Sequence, residues 1–449
     1  MTTTPTDYTP IADRDSFNQR LLRYLDSSPT PFHACAELAA QLGRAGYQEL
    51  QESAIWQLQP QGRYLVRRNG GSLIAFTLPA AREQATGFTL LGAHSDSPNL
   101  RLKPQPTLNA AGVTQWCVEP YGGVLLHTWF DRALSLAGRF SYCEANSQTI
   151  KESLIKLTQP VAVIPSLAIH LDSEANSSHS INKQNHLLPV IGMATEPPFN
   201  LAEQLFRAAA IASDATLLGH ELMLYDTSPA TLLGFAEEFI HAARLDNLLS
   251  CFVISETLQA APATAPLIAI ISDHEEVGSG SASGAAGSFV SDTLQRIVAT
   301  SRSDSNPQEA WIRTMRQSLF VSCDNAHAQH PNFSDKHDPR HAPIINGGPV
   351  LKINSNQRYA SNSRSSSQIQ LAAATAGVHL QQFVARSDMG CGSTIGPLIA
   401  ARLGVESVDI GLPQYAMHSI RETAGSNDAH QLQQLLLALV RQRHPTQIG

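Results

Sequence analysis

Five short segments of this chain carry residue types that bind divalent metals or activate water. They are His94-Ser95-Asp96, Asp246-Asn247, Asp273-His274-Glu275-Glu276, Asp324-Asn325 and Ala416-Met417-His418-Ser419. Two imidazoles with three or four carboxylates suit a pair of borderline divalent cations, Zn²⁺ or else Co²⁺ or Mn²⁺. In an extended chain residues i and i+2 share a side, so Asp96 can reach the ring nitrogen of His94 that faces away from a metal. Glu275 and Glu276 are adjacent and project differently. One can therefore bind metal while the other faces a water, which is what general-base catalysis on a metal-activated water needs. Asp246 opens a polar break in an apolar helical pattern, where a carboxylate shared by two cations would be neutralised. Singly, each segment has a plainer reading: a turn, a solvated helix start, or an N-cap. Recurring together, they point to metal-assisted hydrolysis.

The elements around these segments explain how they could meet. Phe88–Ala93, Pro266–Ile271, Ser318–Cys323 and Val405–Ile410 are short continuous apolar runs that read as buried strands, and the metal-type residues are read just past strand ends. Ligands at the carboxyl ends of strands in an open α/β sheet converge on one crevice. Helices are expected over 13–25, 33–45, 236–259, 288–301, 366–376 and 428–443, and further strands over 64–67, 71–78 and 350–354. The Ser-rich patch 361–367 is read as a helix cap. Alternation of helices with apolar strands predicts a catalytic α/β/α sandwich around a mostly parallel mixed sheet. Between residues 104 and 234 the texture changes to short alternating segments, such as 116–119, 123–129 and 162–171, with a polar loop over 173–185. That stretch is expected to be β-rich. The spacing supports an insertion: 152 residues separate His94 from Asp246, against 30 and 48 for the next two intervals, whereas a crossover needs about a dozen. The expected organisation is a catalytic domain of 1–103 and 235–449 interrupted by 104–234.

Composition narrows the class. The 449 residues are 43% apolar and 15% charged, which permits large cores and excludes a disordered chain or a coiled coil. The formal net charge of −7, without any Lys/Arg cluster, argues against a nucleic-acid partner. Residues 1–17 lack a basic region followed by an apolar run, and no apolar stretch reaches the ~20 residues that span a bilayer, so neither a leader nor a membrane anchor is expected. Six scattered cysteines without a CxxC pair read as reduced thiols and a cytoplasmic protein.

Longer motifs carry a resemblance. GAHSDSPNLRLKP (92–104), TWFDRALSLAGR (128–139), ARLDNL (243–248), SDHEEVGS (272–279), NAHAQHPNFSDKHD (325–338), GPVLKINSNQRYAS (348–361), CGSTIGP (391–397) and AMHSIRE (416–422) are similar to the aspartyl aminopeptidase group, M18-type enzymes with co-catalytic dinuclear metal centres. The resemblance runs from about residue 15 to 440. It implies His94 and Glu276 as ligands of one metal, Asp324 and His418 of the other, Asp246 between them, Glu275 as general base and Asp96 as the orienter of His94. It implies that the insertion mediates dimerisation, that dimers assemble into a tetrahedral twelve-subunit particle, and that His170 reaches a partner's active site to contact substrate. By itself His170 is a lone histidine with an ordinary reading.

The resemblance also implies removal of N-terminal Asp or Glu from peptides. A pocket for a carboxylate needs a cation or several N–H donors. Lys352 matches the group's candidate, with Tyr359 and the loop 390–394 lining the pocket; the plainer reading of Lys352 is an edge-strand lysine. His327, His330, His337 and His341 are a histidine-rich tract whose spacing, broken by Pro331 and Pro339, does not set one face, so loop or pocket-wall roles are expected. Cys391 lies in an active-site-like loop without a matched base and reads as packing. The vacuolar branch of the group carries an N-terminal extension, whereas about a dozen residues precede the first expected helix here. Rival readings are the same metal core with neutral aminopeptidase, carboxypeptidase or deacylase specificity, or a non-catalytic assembly scaffold.

Overall fold

The apolar runs dictate the main sheet. Leu267–Ser272 sends Leu267, Ala269 and Ile271 into one core and Ile268 and Ile270 into another. Thr89–His94 divides in the same way, with Leu91 and Ala93 on one side and Leu90 on the other. Strands that are apolar on both faces must be covered on both. The computed structural model, which describes residues 13–79, 87–301 and 306–444, meets that demand with an α/β/α sandwich. The N-terminal stretch read for a leader lies, over residues 1–12, outside the described residues.

The main sheet has nine strands in the order Gln48–Leu50, Arg63–Arg68, Ser72–Thr77, Leu267–Ser272, Thr89–His94, Leu319–Cys323, Glu406–Gly411, Val350–Lys352 and Gln381–Phe383. The four from Leu267–Ser272 to Glu406–Gly411 run parallel. Their carboxyl ends therefore open on one side. Helices Arg14–Ser27, Pro31–Arg44, Leu245–Ala260, Ser363–Ala376 and Asp428–Arg443 cover one face, and Phe289–Ser301, Pro307–Gln317 and Ile395–Leu403 the other. Phe252 ties Leu245–Ala260 to the first helix: its ring lies 5.2 Å from Phe17, edge-on, and 5.7 Å from Tyr24, stacked.

A second, antiparallel sheet spans residues 99–226, in the order Lys151–Lys156, Leu134–Cys143, Thr216–Asp226, Asn99–Ala110, Val113–Tyr121 and Val190–Met193. It has its own core around Trp116, Phe140, Phe206 and Leu222. A third sheet joins Thr231–Leu233, Phe239–Ala242, Glu422–Gly425, Pro413–Tyr415 and Ala326–His327. No helix among the described residues is long and apolar enough to cross a membrane.

Several local expectations need correction. The helix expected over 236–259 is a strand, Phe239–Ala242, followed by the helix Leu245–Ala260. Pairing with Glu422–Gly425 overrides the helical pattern. The expected strand over 123–129 is a loop and the 3-10 turn Leu126–Trp129, and 162–171 makes only the bridges of Ala162 and Val163. Helices Leu201–Ala208, Pro307–Gln317 and Ile395–Leu403 were not anticipated; each is short, although Asn200, Asn306 and Thr394 stand as N-caps before them. The Ser-rich patch does open a helix, with the Asn362 side chain accepting from the N–H groups of Arg364 and Ser365.

Candidate metal centre

His94 is the last residue of the central strand and is 1% exposed. Its Nδ1 lies 3.0 Å from the backbone carbonyl of Asp96 and 3.5 Å from that residue's Oδ1. A carbonyl only accepts, so Nδ1 is the protonated nitrogen and Nε2 presents its lone pair to the crevice. The nearer partner of the ring is thus the Asp96 main chain, not the carboxylate expected from the i, i+2 spacing. The Asp96 carboxylate holds the neighbouring turn: Oδ1 accepts from the Glu275 N–H and Oδ2 from the Glu276 N–H, both at 3.1 Å. The Tyr121 hydroxyl also donates to Oδ2, at 2.7 Å.

Asp246 stands at the start of Leu245–Ala260, where Asp246 and Asn247 have non-helical dihedrals and are joined by a cis peptide bond. Its N–H donates to Glu422 at 2.9 Å and its carbonyl accepts from the Ser97 hydroxyl at 2.5 Å. Those main-chain bonds leave the carboxylate facing the strand ends. Glu275 and Glu276 sit on the 3-10 turn Glu275–Val277, entered through His274 at φ 65°. Asp324 directly follows Leu319–Cys323. His418 occupies a turn at φ 69°, its N–H donating to Glu422 at 2.6 Å and its Nδ1 lying 3.1 Å from the Gly123 carbonyl. Positive φ at Arg244, His274, Ala416 and His418 crowds around these residues. Such backbone costs of order 1–3 kcal/mol per residue, and it gathers where function requires it.

The side chains converge. His94, Asp246 and Asp324 form one group and Asp246, Glu276 and His418 another, each with potential ligand atoms within 4.8 Å of one another; His94, Glu275 and Glu276 make a third. Asp246 Oδ1 faces His94 Nε2 at 3.5 Å, and its Oδ2 faces His418 Nε2 at 3.4 Å. His418 Nε2 is also 3.4 Å from Glu276 Oε2. These separations are long for hydrogen bonds. Two donors each about 2.1 Å from a tetrahedral Zn²⁺ lie roughly 3.4 Å apart, so the spacing fits donors around shared cations. Asp246 Oδ1 and Glu276 Oε1 are buried without a hydrogen-bond partner, which fits the same use. Around Asp246, His94 lies with Asp324 and Glu276 with His418, whereas the resemblance implied His94 with Glu276, two residues that also share the third group.

Charge in the crevice is unbalanced. Burial, with Asp324 and Asp246 nearby, pushes the Glu275 carboxyl up to about 7. Burial also raises Asp324 to about 6, against the pull of Lys352, and lifts Glu276 well above the usual range. Asp246, despite its burial, is held below that range by His418 and His94. Crowded buried carboxylates of this kind call for cations.

The other expected residues fall differently. Lys352 is 3% exposed on a strand paired on both sides, so it is not an edge-strand lysine. Its Nζ donates to the carbonyls of Asp324 and Asn325 at 3.1 and 3.0 Å, lies 3.9 Å from Asp324 Oδ1, and sits 4.8 Å over the Tyr359 ring. Tyr359 is buried against Phe383. His170 is exposed, in the turns that follow Val163, and is not among the converging residues of this chain. In the histidine tract, His337 accepts from the His330 N–H and His341 bonds Asp338. All six cysteines are free.

Glu422, Tyr121 and Gly123 were missed. The Glu422 carboxylate takes the N–H groups of both Asp246 and His418, and burial with the nearby Asp246 raises it to about 8. Glu422 acts on main-chain N–H groups and Gly123 through its carbonyl, while Tyr121 reaches the Asp96 carboxylate from another sheet, and none of these leaves a spacing signature. AMHSIRE, which ends in Glu422, was the available signal.

Comparison with known proteins gives the family. The family model described as aminopeptidase I zinc metalloprotease (M18) matches residues 24–439. A probable M18 family aminopeptidase 2 of Azotobacter vinelandii is 49% identical over 430 residues, covering 95% of this chain and 98% of that protein. One of Pseudomonas putida is 47% identical over 435 residues, covering 96% and 99%. Among solved structures, Ape4 in its cryo-EM complex with Nbr1 has a TM-score of 0.89 at 36% identity, covering 95% of this chain and 86% of that one. The S. cerevisiae mApe1 dodecamer has a TM-score of 0.82 at 25% identity, covering 96% and 97%.

Proposed function

The chain belongs to the M18 family of zinc metalloprotease aminopeptidases, and from that premise we propose that it removes N-terminal residues, preferably Asp or Glu, from peptides at a dinuclear metal centre. The observation that carries the dinuclear reading is the spacing around Asp246, with one carboxylate oxygen 3.5 Å from His94 and the other 3.4 Å from His418. In this reading His94, Asp246 and Asp324 hold one divalent cation, and Asp246, Glu276 and His418 the other. Zn²⁺ is the favoured metal, with Co²⁺ or Mn²⁺ as substitutes. When bound, such a pair lowers the pKa of an attacking water and polarises the scissile carbonyl.

The chain's own residues do the rest. Glu275 takes the proton of the attacking water at its carboxylate and returns it to the leaving amine. Asp96 keeps Glu275 and Glu276 in place through their N–H groups. His170 of a neighbouring subunit stabilises the developing oxyanion. Residues 104–234 act as the inserted dimerisation domain within a catalytic unit of 1–103 and 235–449. Dimers of this cytoplasmic protein assemble further into a dodecamer, as the yeast dodecamer's similarity supports.

Lys352 is the proposed selector for acidic substrates. Two of its N–H donors go to the carbonyls of Asp324 and Asn325; the charge left over is what a substrate carboxylate would feel. Comparing Lys352→Ala with the parent on Asp- and Leu-terminated peptides tests this. Selectivity for Asp over Leu should fall at least tenfold. Equal losses on both peptides would leave Lys352 as a support for Asp324 alone.

A further inference from the structure

The second sheet does more than stand beside the crevice. Val113–Tyr121 ends with a phenol that is 7% exposed and donates to Asp96 Oδ2 at 2.7 Å, the shortest of the three hydrogen bonds to that carboxylate. Asp96 is fully buried, so its position depends on those three donors, with His94 Nδ1 a longer neighbour at 3.5 Å. The other two are the N–H groups of Glu275 and Glu276. The phenol is itself held between sheets, with the Arg101 guanidinium 5.7 Å over its ring. Two residues on, the Gly123 carbonyl faces His418 Nδ1 at 3.1 Å, and the Leu125 N–H donates to the His418 carbonyl at 3.0 Å. Gly122 lies between, so close that an added Cβ would stand 3.0 Å from the Glu276 Cβ.

We propose that Tyr121 is a positioning residue of the catalytic centre, acting through Asp96 on the Glu275–Glu276 turn, and that the segment 121–125 makes metal affinity depend on the seating of the second sheet. The inference rests on the metallopeptidase reading above. Its physical basis is that ligand orientation is set by outer hydrogen bonds, and losing one typically weakens metal binding by about 10–100-fold. Without the phenol hydroxyl, Asp96 keeps the two 3.1 Å amide bonds and the 3.5 Å contact with His94, and Oδ2 keeps only the Glu276 N–H. The turn that carries both the base and a ligand can then shift. Gly123 does the same for His418 by direct contact, since a Cβ there would meet Nδ1 at 3.1 Å.

The test is Tyr121→Phe, which keeps the ring and removes the hydroxyl, beside Gly123→Ala and the parent. Zinc affinity is measured by chelator competition, the visible spectrum of the Co²⁺-loaded protein is recorded, and kcat and KM are determined separately. Tyr121→Phe should bind zinc about tenfold or more weakly, change the Co²⁺ spectrum, and lower kcat with KM nearly unchanged. Gly123→Ala should weaken one zinc equivalent and spare the other. Parental zinc affinity and kcat in Tyr121→Phe would overturn the inference, as would a lower metal-free melting temperature with intact affinity. A parent protein that bound no zinc and cleaved no peptide would overturn the metallopeptidase reading instead, a result visible before any variant is compared.

Discussion

Glu275 and Glu276 are neighbours on one short turn, yet their surroundings separate them. Glu276 shares His418 with Asp246 at 3.4 Å, whereas Glu275 stands beside His94 with burial raising its carboxyl to about 7. A carboxylate close to the ligands, yet in neither of the two groups that share Asp246, is placed to shuttle a proton. Glu275→Gln should therefore retain both metal equivalents by elemental analysis while kcat falls by about 10²–10⁴-fold. Near-parental turnover would place the base elsewhere. At this scale the sequence was informative because metal chemistry restricts residue type: His94, Asp246, Glu276, Asp324 and His418 could be picked out one by one, and the fold brings them together. Their pairing was not legible, since it depends on which Asp246 oxygen faces which histidine. Glu422 and Tyr121 were not legible either, because a carboxylate that grips main-chain N–H groups has no preferred spacing from them, and a phenol reaching Asp96 from another sheet has none from its partner.

The helix Leu245–Ala260 is where packing and chemistry meet. It runs through the core with Phe252 against Phe17 and Tyr24, and it begins with Asp246. Truncating a buried phenylalanine costs about 3–5 kcal/mol. Phe252→Ala should lower stability by that amount in denaturant titrations of the metal-free protein, and saturating zinc should recover part of the loss, because a ligand of the native state alone stabilises it. A loss below 1 kcal/mol would show that Phe252 does not anchor the helix. The strands that end at the site were readable from continuous apolar runs such as that of Leu267–Ser272. The polar break at Asp246 was readable too, but the strand before it was not, because Phe239–Ala242 continues the apolar texture and becomes a strand only by pairing with Glu422–Gly425, some 180 residues away. Partners that distant leave nothing in a local window.

At the scale of the whole molecule, the second sheet carries the surface proposed to meet a neighbouring chain. His170 lies on its surface with Leu167, Ile169 and Leu171, which are 56%, 53% and 73% exposed. Apolar side chains gathered in one exposed loop mark an interaction surface, which supports placing this loop at a neighbouring subunit. In the proposed assembly, His170→Ala should lower kcat or raise KM at least tenfold with metal content unchanged. Parental kcat and KM would remove His170 from the site. The altered texture of residues 104–234 was legible because short alternating segments interrupt an α/β pattern. The third sheet was not, as its five strands come from three separate stretches of the chain.

The central claim is a two-metal centre that releases acidic N-terminal residues. It is tested most directly by stripping the protein with a chelator and following hydrolysis of Asp-, Glu-, Leu- and Ala-terminated peptides with and without added Zn²⁺, Co²⁺ or Mn²⁺. Activity should be lost on chelation and return as two metal equivalents bind, with Asp or Glu released much faster than Leu or Ala. Full activity with one equivalent, or no release of any residue under any metal, would contradict the account.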